Sequence, residues 1–151
     1  MERLRMPVAV HLLLVRGEEV LLLRRFNTGF EDGNYSVPAG HLDGNETVIE
    51  ATVREAREET GIGLSPADIR IVQVMHRFAE EERIDYFLVA DRWSGDIVIA
   101  EPDKCDALEW YPVDALPANM IPYVAHGIRS WRENVSFTCF GRPETVTGGM
   151  P

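Results

Sequence analysis

The chain has 151 residues, 45% of them hydrophobic, which is enough for one buried core and leaves no room for a second domain of ordinary size. With 25 acidic against 15 basic residues its net charge is −10, so it lacks the clustered Lys and Arg that nucleic-acid polymers or anionic membranes require of a partner. Two cysteines, Cys105 and Cys139, are too few for a disulfide framework or a cysteine-rich zinc site, and they fit a reducing cytoplasm.

Val8–Val15 is an apolar run too short to span a bilayer and without a small-residue cleavage site after it, so a buried strand is expected there. Val8–Arg16 and Val20–Arg25, separated by Gly17-Glu18-Glu19, form a predicted hairpin. Asn27–Asn34, with Gly29, Asp32 and Gly33, is a predicted loop, and Tyr35–Pro38 a short strand.

A helix is expected from near Glu46, capped by Asn45 or Thr47 and stopped by Gly61 in the left-handed conformation. At 3.6 residues per turn, Ile49, Val53, Ala56 and Thr60 share one stripe, while Glu55, Glu58 and Glu59 gather on the far side. Like charges three and four apart repel. Either Arg54 and Arg57 balance a solvated face, or the carboxylates hold a hard divalent cation. Further strands are expected at Ile69–Phe78 and Ile84–Ala90, joined by Glu80-Glu81-Glu82, and at Leu108–Val113. A last helix is expected around Tyr123–Asn134. No segment repeats with a period of 20–50 residues. Residues 1–140 are expected to make a single domain, and 141–151 a frayed tail.

The run from Gly40 to Ile62 has Gly, five residues, Glu, seven residues, Arg-Glu, an apolar residue, any residue, Glu-Glu, any residue, Gly and an apolar residue. It resembles the box of the Nudix hydrolases, with Ala56 a small occupant of its apolar slot. The resemblance implies an α+β fold, an α/β/α sandwich around a mixed sheet. It also implies Mg²⁺, or Mn²⁺ in its place. Glu55, Glu58 and Glu59 are then the metal-binding residues. Glu55 and Glu58 are the catalytic candidates, with Glu55 either a ligand or the base that takes a proton from water.

Arg54 is expected to orient the carboxylates, Glu46 to cap and hydrogen-bond, and Gly40 and Gly61 to shape the motif. Ala39 stands where relatives offer a carbonyl to the metal. The stretch Glu101-Pro102-Asp103-Lys104-Cys105, with Glu109-Trp110-Tyr111-Pro112-Val113 beyond it, is similar to the region of MutT-like enzymes that supplies one more carboxylate. Glu101 comes first there, followed by Asp103 and Asp106. An Arg at the end of this strand reaches the phosphates in similar enzymes; of Arg24 and Arg25 one must point elsewhere by alternation, and Arg25 is the expected contact. Trp110 is a base-stacking or core residue, and Asn119 a candidate for base recognition. His11 and His76 are expected to be structural. The implied substrate is a small nucleoside triphosphate, including an oxidised one such as 8-oxo-dGTP, acted on by a monomer or homodimer with no polymer or membrane partner. Alternatives are another nucleoside diphosphate derivative, an isoprenoid diphosphate, or a module that senses a nucleotide without cleaving it.

Overall fold

The computed structural model describes residues 1–142. Its strands are β1 (Val8–Arg16), β2 (Glu19–Arg25), β3 (Tyr35–Ser36), β4 (Ala39–His41), β5 (Arg70–Phe78), β6 (Glu82–Ala90), β7 (Cys105–Pro112) and β8 (Phe137–Phe140). Two helices, α1 (Val48–Thr60) and α2 (Pro122–Arg132), and a single 3₁₀ turn at Pro66–Asp68 complete it.

The sheet runs β3-β2-β1-β6-β5-β8, with β4 added to β1 and β7 to β2. It is mixed: β1/β6 and β5/β8 are parallel, and the other pairs are antiparallel. β1 is the pivot. One edge pairs with β6 along Val8–Leu14, while the other is taken by β4 at Ala9–His11 and by β2 at Val15–Arg16. β4 and β2 therefore leave the same strand at different heights, and the gap between their far ends becomes a cleft.

Alternation along the central strands explains why β1 has no polar face. Val10, Leu12 and Leu14, with Leu88 and Ala90 of β6, pack under Ala51 and Ala56 of α1. Leu13, with Phe87 and Val89, packs under Val124, Ala125 and Ile128 of α2. Both faces are covered, so the strand is one continuous apolar run. This is the α/β/α sandwich expected, and no helix among the described residues is long and apolar enough to cross a membrane.

Several boundaries moved. The N-cap of α1 is Thr47, whose hydroxyl accepts from the Glu50 N–H at 3.0 Å while the Glu50 carboxylate accepts from the Thr47 N–H at 2.8 Å. Asn45 instead turns the loop with φ 56°. The wholly buried positions of α1 are Ala51, Thr52, Ala56 and Thr60, with Ile49 and Val53 only half-buried. Threonine is tolerated there because the Thr52 and Thr60 hydroxyls donate back to the carbonyls of Val48 and Ala56, at 2.9 and 2.6 Å.

Glu19 joins β2, β7 starts at Cys105, and α2 ends at Arg132. β4 lies inside the motif and β8 near the end; neither was expected. Both are short strands held by pairing to β1 and β5 rather than by an apolar pattern of their own. Most of the expected frayed segment, 143–151, lies outside the described residues. Of the two described positions, Arg142 places its guanidinium 4.2 Å from the Phe78 ring centre.

His11, fully buried on β1, is a satisfied residue. Its ring nitrogens meet the Tyr86 carbonyl at 3.2 Å and the Tyr123 hydroxyl at 2.9 Å. Burial lowers its pKa to about 4 despite the nearby Asp85 carboxylate, so the ring is neutral. His76 is likewise engaged, 2.6 Å from a Glu82 oxygen.

Candidate active site: an acidic cleft on the first helix

The ends of α1 are fixed by the Thr47 capping box and by Gly61, whose φ of 77° and N–H to the Arg57 carbonyl close the last turn. That sets the angular positions of Glu55, Glu58 and Glu59 relative to β4. Gly40 of β4 lies so close that a Cβ there would overlap the Glu55 carboxylate. The glycine is required by this approach of a carboxylate to backbone. One residue earlier, the Ala39 N–H donates to Glu59 Oε2 at 2.9 Å.

Arg54 ties the preceding loop to the carboxylates. Its Nε and Nη2 donate to the two oxygens of Glu46 at 3.1 and 2.7 Å, and Nη2 donates to the His41 carbonyl at 3.1 Å. Nη1 reaches Glu55 Oε1 at 2.7 Å and Glu58 Oε2 at 3.4 Å. The Arg54 hydrogen bonds, with the Asp43 N–H, hold the Glu46 pKa down to about 2. Glu46 is thus a permanently ionised strut for Arg54, and Arg54 orients Glu55.

Glu55 and Glu59 share the charge problem that the sequence poses. Burial raises the pKa of Glu59 well above 4.5, the charges of Glu55 and Glu101 push it further, and the Ala39 N–H opposes. Glu55 is raised by burial too, against the pull of Arg54 and with a push from Glu58. Burial and the repulsion of like charges thus push both carboxyls toward the protonated form. Glu58 is exposed at the rim.

These side chains line a cleft of about 610 Å³ that also receives Glu101, Asp103, Lys104, Cys105 and Arg25. The loop before β7 thus delivers two of the three candidate acids, Glu101 and Asp103. The third, Asp106, is turned away, accepting from Arg24 Nε and Nη2 at 2.8 and 3.1 Å. That pairing also settles the alternation of Arg24 and Arg25. Arg25 lines the cleft, steadied by the Phe30 carbonyl at 2.7 Å and the Thr28 hydroxyl at 2.9 Å. Burial pushes the Cys105 thiol up, and it donates to the Ala107 carbonyl at 3.2 Å.

Two expected residues are not brought here. Trp110 pairs with Leu21, four positions along β2 from Arg25, and stacks between Arg16, 4.2 Å from its ring, and Trp93, 6.1 Å between centroids. It closes the edge of the core under α1. Asn119 anchors the loop ahead of β3: its amide donates to the Gly33 carbonyl at 2.9 Å and its own carbonyl accepts from the Tyr35 N–H. Neither lines the cleft.

Sequence reasoning missed a second lobe. Across Ala39, Gly40, His41 and Arg25 the acidic cleft continues into a cavity of about 800 Å³ lined by Arg77, Arg83, Tyr123 and Phe30. No local signal fixed it: Arg77 faces Arg83 only because the turn spans 79–81 and centres the pairing on Glu80.

Comparison with known proteins places this geometry. The family model of the NUDIX domain matches residues 5–133. The chain is 28% identical over 145 residues to the NAD-capped RNA hydrolase NudC of Stutzerimonas stutzeri, covering 96% of this chain and 50% of that protein. It is 28% identical over 127 residues to the 8-oxo-dGDP phosphatase NUDT18 of Homo sapiens, covering 80% of this chain and 36% of that protein. The chain spans half or less of the length of these two curated relatives. Among solved structures it is similar to a MutT NUDIX hydrolase from Burkholderia pseudomallei. The TM-score is 0.76 at 27% identity, over 83% of this chain and 97% of the other.

Proposed function

The chain belongs to the Nudix family, and on that premise we propose that it is a Mg²⁺-dependent hydrolase of diphosphate bonds that splits a nucleoside triphosphate to monophosphate and pyrophosphate. Oxidised nucleotides such as 8-oxo-dGTP fall within that class, and Mn²⁺ is the substitute ion. The catalytic unit is residues 1–140, working in a reducing cytoplasm as a monomer or homodimer.

The gathering of Glu55, Glu58, Glu59 and Glu101 around one cleft carries this reading. Acids whose burial and mutual repulsion raise their pKa are a site short of positive charge, and a hard divalent cation supplies it through oxygen ligands. Among the described residues no three ligating side chains converge on one point as they stand, because Glu55 leans on Arg54 and Glu59 on Ala39. The donor set nonetheless suits the ion chemically. Glu55, Glu58, Glu59 and Glu101 would hold it, with the Ala39 carbonyl in support, and when bound it supplies acidity to water and withdraws charge from phosphoryl oxygens. Glu55, fixed through Oε1 by Arg54, accepts the proton of the attacking water. Glu58, exposed at the rim, takes part in handling that proton and the charge around it. Arg25 and Lys104 line the same cleft and bind phosphate oxygens.

A second substrate, a diphosphate joining two nucleosides, is favoured by the NudC relatives and by the two lobes of the cleft. The test is a panel of nucleoside triphosphates, dinucleotide diphosphates and isoprenoid diphosphates, with Mg²⁺ or with EDTA, read by product identity. Metal-dependent release of a nucleoside monophosphate is expected. Tight nucleotide binding with the ligand intact afterwards would instead establish a sensing module.

A further inference from the structure

The second lobe has a charge pattern that the hydrolytic site does not use. The register of β5 and β6 sets Arg77 directly opposite Arg83, and like charges facing one another across a ladder are unfavourable. Asp85, wholly buried, is the counter-charge. It accepts from Arg77 Nε at 2.6 Å and Nη2 at 3.4 Å, and lies 3.9 Å from Arg83 Nε.

His11, 3.9 Å from Asp85, is neutral and adds no positive charge. Two guanidiniums thus meet one carboxylate. Arg83 Nε is buried without a hydrogen-bond partner, and Arg83 Nη2 donates to the His41 ring. The third guanidinium of the cavity, Arg25, is hydrogen-bonded to a carbonyl and a hydroxyl, both neutral. Glu80 and Glu81 also line the cavity but are exposed in the turn, where water and salt screen them.

The rings of the cavity already carry cations. Arg77 lies 3.6 Å from the Tyr123 centroid and Arg25 lies 5.3 Å from that of Phe30. What the cavity offers a ligand is therefore guanidinium, the group best matched to phosphate oxygens.

We propose that this lobe is a phosphate subsite, taking a terminal phosphate dianion on the part of the substrate that lies beyond the acidic lobe, with Arg83 and Arg25 as its contacts. The proposal rests on the reading of the acidic lobe as the diphosphate site, whose walls Ala39, Gly40 and His41 it shares. The dianion has two possible sources: the last phosphate of a nucleoside triphosphate, or a phosphomonoester on a ribose of a diphosphate-linked dinucleotide.

The full chain is titrated with inorganic phosphate in EDTA at low salt, where the carboxylates have no cation through which to bind an anion. Phosphate is expected to raise the melting temperature, and Arg83→Gln to weaken phosphate binding by about tenfold or more, the scale of one charge-assisted contact. Arg83→Lys is expected to restore most of it. Arg83→Met provides the same comparison should the first variant fail to fold. Turnover then separates the sources: Arg83→Gln raises KM for a triphosphate relative to its diphosphate, or for NADPH relative to NADH. Equal phosphate affinity in the wild type and the Gln or Met variant of Arg83, or no preference in either substrate pair, overturns the subsite. Absence of any diphosphate hydrolysis removes the parent reading alone, and the phosphate titration still decides this one.

Discussion

Glu59→Gln is expected to produce a protein that melts higher than the wild type in EDTA and scarcely turns over. Gln keeps the shape of the side chain and an oxygen for the Ala39 N–H, while removing a carboxyl whose ionisation is opposed by burial and by the charges of Glu55 and Glu101. Relief of that penalty is worth about 1 kcal/mol, or roughly 2–4 °C at this chain length. Turnover falls by about 10²-fold or more, the scale of losing a group that handles charge at the reacting centre.

The pH dependence follows from the sign of the shift. A carboxyl whose folded pKa is raised binds more protons in the native state, so stability is lost as pH rises through that pKa. The melting difference between variant and wild type is therefore absent below about pH 4.5 and grows above it. Calorimetric scans across this range check it, and equal melting temperatures at pH 8 would contradict it.

Asp85→Asn is expected to be the most damaging single change outside the cleft. It leaves Arg77 and Arg83 facing each other with no carboxylate, in a site where Arg77 is largely and Asp85 wholly buried. Breaking a buried pair from one side costs about 3–5 kcal/mol. For a chain of this size that lowers the melting temperature by on the order of 10 °C. Urea titration gives the same quantity independently, and a loss under about 1 kcal/mol would show that Asp85 is not the counter-charge of the hairpin. Arg83→Gln, which leaves the Arg77–Asp85 pair balanced, is expected to cost far less.

Much of this was legible in the sequence, for reasons that differ along the chain. The helix of Glu55, Glu58 and Glu59 has local causes: a Thr47–Glu50 capping box, no breaker, and Gly61 at its end. Those causes act over four residues and are visible in any window. The run Val8–Val15 announced a buried strand, and its unbroken apolar character agrees with the cover that α1 and α2 give its two faces.

Trp110 takes the core alternative and Asn119 lies outside the cleft, positions set by contacts distant in sequence: Arg16 and Trp93 for the first, Gly33 and Tyr35 for the second. β4 and β8 have too few residues to show a period, and exist because β1 and β5 present open edges. Arg77 and Arg83 went unread because the expected turn, Glu80-Glu81-Glu82, centres one residue beyond the one that opposes them, and because their significance depends on Asp85 lying buried beside both.

The claim on which the rest depends is that the carboxylates of the first helix take up a divalent cation, displacing the protonation that burial favours on Glu59 and Glu55. Isothermal titration of Mn²⁺ into the substrate-free protein, in two buffers of different ionisation enthalpy, measures this directly. Because the ion binds ionised carboxylates, binding is expected to release protons and the observed heat to vary with the buffer, an effect that disappears in Glu59→Gln. Buffer-independent heat, or no binding at millimolar Mn²⁺, would contradict it.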